Sequence, residues 1–173
     1  GTKACVRPCI IDQKFMHDLL NSKSFDELPA WISGVAKDAY ALLTSSMDAR
    51  LFEMFVDRAS LETTIDFVLK AESELCTGIV ESFVAITNIK TAYRLANNRV
   101  EDGSLEYAFA KCAFTDVDEL KLAAKGGRAA VVEYLDSTKF SFLKESLEKS
   151  LGDFEVKSER AIYSPLANFI PVL

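Results

Sequence analysis

The chain has 173 residues, of which 49% are hydrophobic, so it can bury a core as one domain or as a large piece of a longer protein. Its 20 basic and 26 acidic residues give a formal charge of −6, which argues against a nucleic-acid partner because phosphate contacts need basic clusters. No apolar run is long enough to span a membrane, the start lacks a signal-peptide pattern, and four dispersed cysteines fit free thiols in a reducing compartment.

Helical periodicity dominates the first part of the chain. Asp12 is placed to cap a short helix, and Ser24 with Glu27 forms a capping-box pattern before a helix that is expected to run to about Leu43. Asp48 can cap the next helix. No segment shows a convincing alternation of period two, and only seven glycines and four prolines interrupt the chain. The sequence therefore predicts an all-α fold with long helices.

The longest predicted helix covers residues 73–99. Its inward stripe at helical spacing is made of Leu75, Ile79, Phe83 and Ile86. Lys90 and Arg94 follow on the same face, and two interpretations stay open: their stems lie along the end of a buried stripe, or they fasten a neighbouring helix or a carboxylate partner. Asn88 lies on a different stripe, where a half-buried amide needs hydrogen-bond partners and can fix the register of two helices.

The second part of the chain has clearer breaks. Asp102-Gly103 predicts a turn, followed by a short helix over residues 104–112. Asp116 is placed to cap a helix that ends at Gly126-Gly127, and a further helix runs to about Leu135. A longer helix is predicted over residues 137–152.

Short elements recur at intervals of roughly 90 residues, which is typical of a repeated unit. The clearest pair is Asp26-Glu27-Leu28 and Asp118-Glu119-Leu120, although acidic-leucine pairs are common and a chance match stays open. The sequence predicts two helical units, residues 1–101 and 102–173. The second is incomplete, since its counterpart of Asn88 would fall beyond Leu173. We interpret the sequence as a fragment.

Few residues are placed for catalysis. His17 is the only histidine, and its position in a short helix beside apolar residues favours a structural role. Cys5 and Cys9 near it lack a fourth zinc ligand. The acids of Asp116–Glu119 fall in a first helical turn, where the helix dipole favours negative charge. The sequence predicts no catalytic residue and no metal site.

The segment Thr87–Ala96, TNIKTAYRLA, resembles the T-N-I-K-T-x-x-R-A signature of one protein family. Val56-Asp57-Arg58-Ala59, about 30 residues upstream, is similar to the L-D-R-A element of that family. The family is the C subunit of archaeal and bacterial V-type (A-type) ATP synthases, called subunit d in eukaryotic vacuolar ATPases. The candidate structural or interface residues are Asn88, Lys90, Arg94, Asp57 and Arg58.

The resemblance implies an all-helical fold of three similar units around a pseudo-threefold axis, shaped like a funnel. It implies a non-catalytic rotor subunit without a cofactor, placed on the cytoplasmic face of the membrane proteolipid ring. Such a subunit holds the foot of the central stalk, so that ATP hydrolysis or synthesis is coupled to the transport of protons or sodium ions. On this resemblance we expect that an N-terminal third and a closing helix of the family lie outside the sequence, and that a fragment of this kind can self-associate. An unrelated α-helical protein-interaction scaffold is the alternative.

Overall fold

The computed structural model describes residues 12–96 and 102–163, and the regular structure in these ranges is helical. The only β feature among them is an isolated antiparallel bridge between Cys112 and Thr115. The all-α prediction is confirmed. The chain divides into two compact units, Gly1–Phe52 and Glu53–Leu173, each with buried clusters of its own.

Two helices pack around a small core in the first unit. α1 (Gln13–Ser22) begins after Asp12, whose carboxylate accepts hydrogen bonds from two backbone N–H groups of the first turn, as predicted. A 3₁₀ turn (Phe25–Glu27) and α2 (Ala30–Ser46) follow. The buried side chains among the described residues of this unit are Leu19, Phe25, Leu28 and Ala39.

The predicted capping box at Ser24 is wrong. The Ser24 side chain makes no cap hydrogen bond, and its segment forms the 3₁₀ turn instead of a first α-helical turn. α2 starts only at Ala30, because a residue before proline avoids the helical region: Leu28 precedes Pro29 and is extended, with ψ 154°.

The next helix, α3 (Ala49–Lys70), starts in the first unit and ends in the second. Asp48 caps it as predicted, since its Oδ1 accepts from the N–H of Arg50 at 2.8 Å. α4 (Glu74–Leu95) begins at Ser73, whose hydroxyl accepts from the N–H of Cys76.

Shorter helices complete the second unit. They are α5 (Asp102–Leu105), α6 (Val117–Gly126), α7 (Arg128–Asp136), a 3₁₀ turn (Ser141–Leu143), α8 (Lys144–Lys149) and α9 (Leu151–Ile162). Asp116 caps α6 as predicted, by accepting from the N–H groups of its first turn. Gly127 separates α6 from α7 with φ 93°, a conformation that side-chain-bearing residues rarely adopt.

Two predicted helices of this region are wrong. The helix expected over residues 104–112 stops at Leu105, and a loop follows because side chains of α3 and α4 take up its backbone groups. The helix expected over residues 137–152 is broken at Ser150, which is extended with φ −169° and ψ 157°. The Ser150 hydroxyl instead accepts from the N–H of Asp153 at 3.0 Å and so starts α9.

α4 is the central helix of the second unit, because α6, α7 and α9 all contact it. Its buried side chains are Glu81, Ser82, Val84, Ala85, Ile86, Asn88, Ile89, Ala92 and Leu95. The predicted inward stripe is correct at Ile86 but wrong at Phe83, which is 45% exposed. Neighbours on several sides bury more than one stripe, so a single-face pattern describes this helix poorly.

The predicted division at residues 101 and 102 falls inside the second compact unit, whose central helix packs against helices from after that boundary. Repeated ancestry is a different property from compactness, so the repeat and the pseudo-threefold arrangement stay predictions. Among the helices in the described ranges, none is both long and apolar enough to cross a membrane.

Candidate functional site

A buried amide on the central helix holds a loop in place. Asn88 has 1% of its surface exposed. Its Nδ2 donates to the carbonyl oxygen of Ala110 at 2.7 Å and to Oγ1 of Thr115 at 3.1 Å. Its Oδ1 accepts from the Ala110 N–H at 3.0 Å, so both backbone groups of Ala110 pair with one side chain. We call residues 106–116 the clamped loop.

Three acidic or basic side chains also hold the backbone of the clamped loop. Arg58 of α3 donates from Nη1 to the carbonyl oxygen of Glu106 at 2.7 Å. Glu62 accepts from the N–H of residue 111 at 3.1 Å, and Glu81 accepts from the N–H of residue 113 at 2.6 Å. The bonds of Arg58 and Glu62 are exposed and that of Glu81 is partly buried, so the cost of about 1–3 kcal/mol for an unpaired buried backbone group applies chiefly to the buried Asn88 bonds.

Arg58 also stacks against two aromatic rings. Its guanidinium carbon lies 5.4 Å from the ring centroid of Phe55 and 5.7 Å from that of Tyr107. The two rings meet edge to face, with centroids 6.2 Å apart. The Nε atom is buried and has no hydrogen-bond partner within residues 12–96 and 102–163. The Arg58 side chain is thus held by stacking against the two rings and by the hydrogen bond that its Nη1 donates.

The two sequence elements that carry the family resemblance meet at one cleft. Asp57 and Arg58 from the first element line it together with Thr87, Asn88 and Thr91 from the second. The cleft has a volume of about 290 Å³ and lies along α3 and α4. Elements some 30 residues apart in sequence thus contribute to one surface, which is what packing of neighbouring helices produces.

Lys90 and Arg94 lie away from this cleft and share one carboxylate. Arg94 Nη2 is 2.9 Å from Oε1 of Glu155 on α9, and Lys90 Nζ is 3.9 Å from the same atom. Both cations therefore contact a carboxylate of α9, and which of the two interpretations describes their role stays a prediction. The Arg94 side chain is 60% exposed, so this ion pair contributes at most about 1 kcal/mol.

Lys139 contacts α4 at Ser82, the residue that follows Glu81. Its Nζ lies over the rings of Phe114 and Phe140 and 3.3 Å from Oγ of Ser82. Burial lowers the pKa of Lys139 below its ordinary value, while the nearby Glu81 carboxylate acts in the opposite direction. Although the residue as a whole is exposed, its ammonium group lies against two aromatic faces.

The other candidate groups take structural positions. His17 is exposed on α1, with Asn21 Nδ2 3.1 Å from its Nδ1. Asp116 caps α6, and its own N–H donates to the Tyr134 hydroxyl at 2.9 Å. In the part of the chain that the structure describes, no three His, Cys, Asp or Glu side chains are grouped to hold a metal ion. Cys5 and Cys9 lie outside the described residues.

A comparison with protein families decides the class of protein. A family model described as ATP synthase (C/AC39) subunit matches residues 3–170. The chain belongs to this family. C/AC39 subunits are components of V- and A-type rotary ATPases, so the resemblance read from the sequence is confirmed. No curated protein and no solved structure matches the chain.

In this C/AC39 chain the structure brings together Asp57, Arg58 and Asn88 at the cleft and leaves Lys90 and Arg94 on the α9 side. The role of all five residues at an interface with another protein stays a prediction. Sequence reasoning missed Glu62 and Glu81. Helical spacing could have indicated both residues. Glu62 lies four residues after Arg58 on one face of α3, and Glu81 lies seven residues before Asn88 on the same side of α4.

Proposed function

We propose that this chain is a non-catalytic rotor subunit that couples the central stalk of a V- or A-type ATPase to the membrane proteolipid ring. The observation that carries the proposal is the C/AC39 family match over residues 3–170. In this role the subunit turns with the stalk and the ring and passes torque between them, which supports ion transport driven by ATP or used to make it.

The packing of α4 supports the mechanical part of the proposal. A torque-bearing element must keep its shape under load, and α4 is fixed along its length by side-chain contacts. Glu81 and Asn88 bind the clamped loop, and Arg94 binds Glu155 on α9. Bonds from one helix to both a loop and another helix restrict sliding and rotation of the helix within the unit.

The charge of the chain supports docking to other proteins. A net charge of −6 suits partners that present basic loops, because complementary charge sets orientation and association rate. We place the subunit on the cytoplasmic face, attached to the membrane through the ring. An unrelated α-helical scaffold is excluded as the alternative, since the chain belongs to the C/AC39 family.

Co-purification tests the coupling role. The tagged protein, at the full length of its gene, is offered the central-stalk subunits and the detergent-solubilised proteolipid ring, first separately and then together. We expect retention of both, and a complex of all three when both are present. Retention of neither contradicts the rotor role, and retention of the stalk alone contradicts the coupling to the ring.

The non-catalytic part has a separate test. We expect the purified chain to hydrolyse no ATP, because polar side chains such as Asn88, Glu81 and Asp116 are occupied in holding backbone groups and helix ends. ATP hydrolysis that follows this chain through successive purification steps, and is lost with it on immunodepletion, would show that the subunit is an enzyme.

A further inference from the structure

An open groove lies on the second unit, away from the cleft and from the clamped loop. Its lining residues are Phe142, Leu143, Val156, Lys157, Arg160 and Ala161, and its volume is about 450 Å³. The 3₁₀ turn before α8 supplies one wall and α9 supplies the other. Leu143 and Ala161 are buried and form an apolar base.

Two large apolar side chains at this groove face solvent. Phe142 is 66% exposed and Val156 is 71% exposed. Neither belongs to the buried core cluster, which contains Leu143 and Phe154 from the same two elements. Adjacent exposed apolar side chains around a concave surface are typical of a protein interaction site.

The charges at the groove differ from those of the whole chain. Lys157 and Arg160 are basic, in a chain whose net charge is −6. Within the described residues neither makes an ion pair, whereas Lys149 and Glu155 elsewhere on α8 and α9 do. Glu159, the nearest acid on α9, lies about 100° around the helix from Arg160, away from the groove lining. As far as residues 12–96 and 102–163 show, the groove therefore offers two cations without ion-pair partners beside an apolar base.

The spacing of the cations indicates the shape of the partner. Lys157 and Arg160 are three residues apart on a helix, which places them on neighbouring turns. Two acids at i and i+3 or i+4 of a second helix have the same separation, and an apolar residue on the same face of that helix would point between them into the groove.

We propose that this groove binds an acidic amphipathic helix of a partner protein, which inserts an apolar side chain between Phe142 and Val156 and places carboxylates on Lys157 and Arg160. The groove shares no residue with the segments 56–59 and 87–96, whose motifs resemble those of the family. The proposal does not depend on which subunit the partner is, so it can fail while the rotor role holds.

Photo-crosslinking in cells tests the proposal. Phe142 is replaced by p-benzoylphenylalanine in the full-length protein, and the crosslinked peptide is sequenced by mass spectrometry. We expect one segment of another protein, with helical periodicity and two acids one turn apart. A crosslink to lipid, to a basic segment, to a second copy of this chain or to the same chain overturns the proposal, as does the absence of any adduct. The same substitution at Leu122, which is 69% exposed on α6, is the control and should not give that segment.

Charge reversal provides the second measurement. The variant Lys157→Glu with Arg160→Glu should lower the yield of the Phe142 adduct by on the order of tenfold, because like charges at an interface suppress association. The matched variant Lys157→Arg with Arg160→Lys keeps the charge and should retain the adduct. Equal yields from the two variants, with both folded by circular dichroism, overturn the proposal.

Discussion

Asn88 shows how one side chain can replace a piece of secondary structure. The loop that follows α5 has backbone groups without a helical or strand partner, and the Asn88 amide satisfies both the N–H and the C=O of Ala110. An apolar residue at position 88 would fit the helix pattern better, yet it would leave those two groups buried without partners. The amide is therefore a condition for packing the clamped loop.

Replacement of Asn88 by leucine should destabilise the second unit by roughly 2–6 kcal/mol, since two buried backbone groups lose their partners at about 1–3 kcal/mol each. Asn88→Asp should also destabilise, because a carboxylate still accepts from the Ala110 N–H but cannot donate to the Ala110 carbonyl oxygen, and its charge would be buried. Urea unfolding monitored by circular dichroism measures both. Equal stability of Asn88→Leu and the unmodified protein would mean that the clamp is not needed.

Lys139 gives a prediction about pH. Burial lowers the pKa of Lys139 in the folded state, so the unfolded chain binds more protons at pH values between that lowered pKa and 10.5. The contribution of Lys139 to the free energy of unfolding therefore increases with pH across this window. Lys139→Gln should remove this rise. The difference in unfolding free energy between the two proteins, measured at several pH values up to about 10.5, tests it. The exposed Lys157→Gln serves as control, and a difference that falls with pH would contradict the sign.

At the scale of elements, breaks between helices depend on backbone conformation and capping. Gly127 lies between α6 and α7 with φ 93°, and nothing lies within 4 Å of a Cβ built there, so only the backbone requires glycine. Ser150 breaks α8 from α9 while it caps the latter. The sequence predicted the break between α6 and α7 from Gly126-Gly127. It did not predict the break between α8 and α9, because serine also occurs inside helices.

Gly127→Ala should lower the free energy of unfolding by about 1–3 kcal/mol, because this region of φ and ψ is strained for any side chain. Gly152→Ala is the matched comparison, since its Cβ would meet only the Ser150 hydroxyl at 3.9 Å inside α9. That change should be neutral or should stabilise by up to about 1 kcal/mol. Thermal or urea denaturation ranks the two variants, and a reversed order would refute the backbone argument.

At the scale of the whole molecule, the two compact units bury very different cores. Among its described residues the first unit has four buried hydrophobic side chains, Leu19, Phe25, Leu28 and Ala39, whereas the second has a larger cluster around α4. Local stability follows buried apolar contact, so the units need not open together.

Hydrogen exchange should therefore be faster in α1 and α2 than in the middle of α4, where Ile86, Ile89 and Ala92 are each at most 1% exposed. Mass spectrometry of peptides after timed labelling measures this difference. The exposed helix ends of both units provide the internal reference for fast exchange. Uniform protection across α1, α2 and α4 would mean that the chain unfolds as one cooperative body.

The amino-acid sequence by itself determined the helical class, the main helix starts at Asp12, Asp48 and Asp116, and the family. The helical class follows from local periodicity, the helix starts from capping bonds within the first turn, and the family from short motifs. None of these requires knowledge of contacts between distant residues. Only the tertiary structure decided which faces of α4 are buried, why the chain leaves a helix after Leu105, and that Glu62 and Glu81 hold the same loop as Asn88. The physical reason is that a buried backbone group can be satisfied by any side chain that packing brings within reach, and the sequence does not state which residues those are.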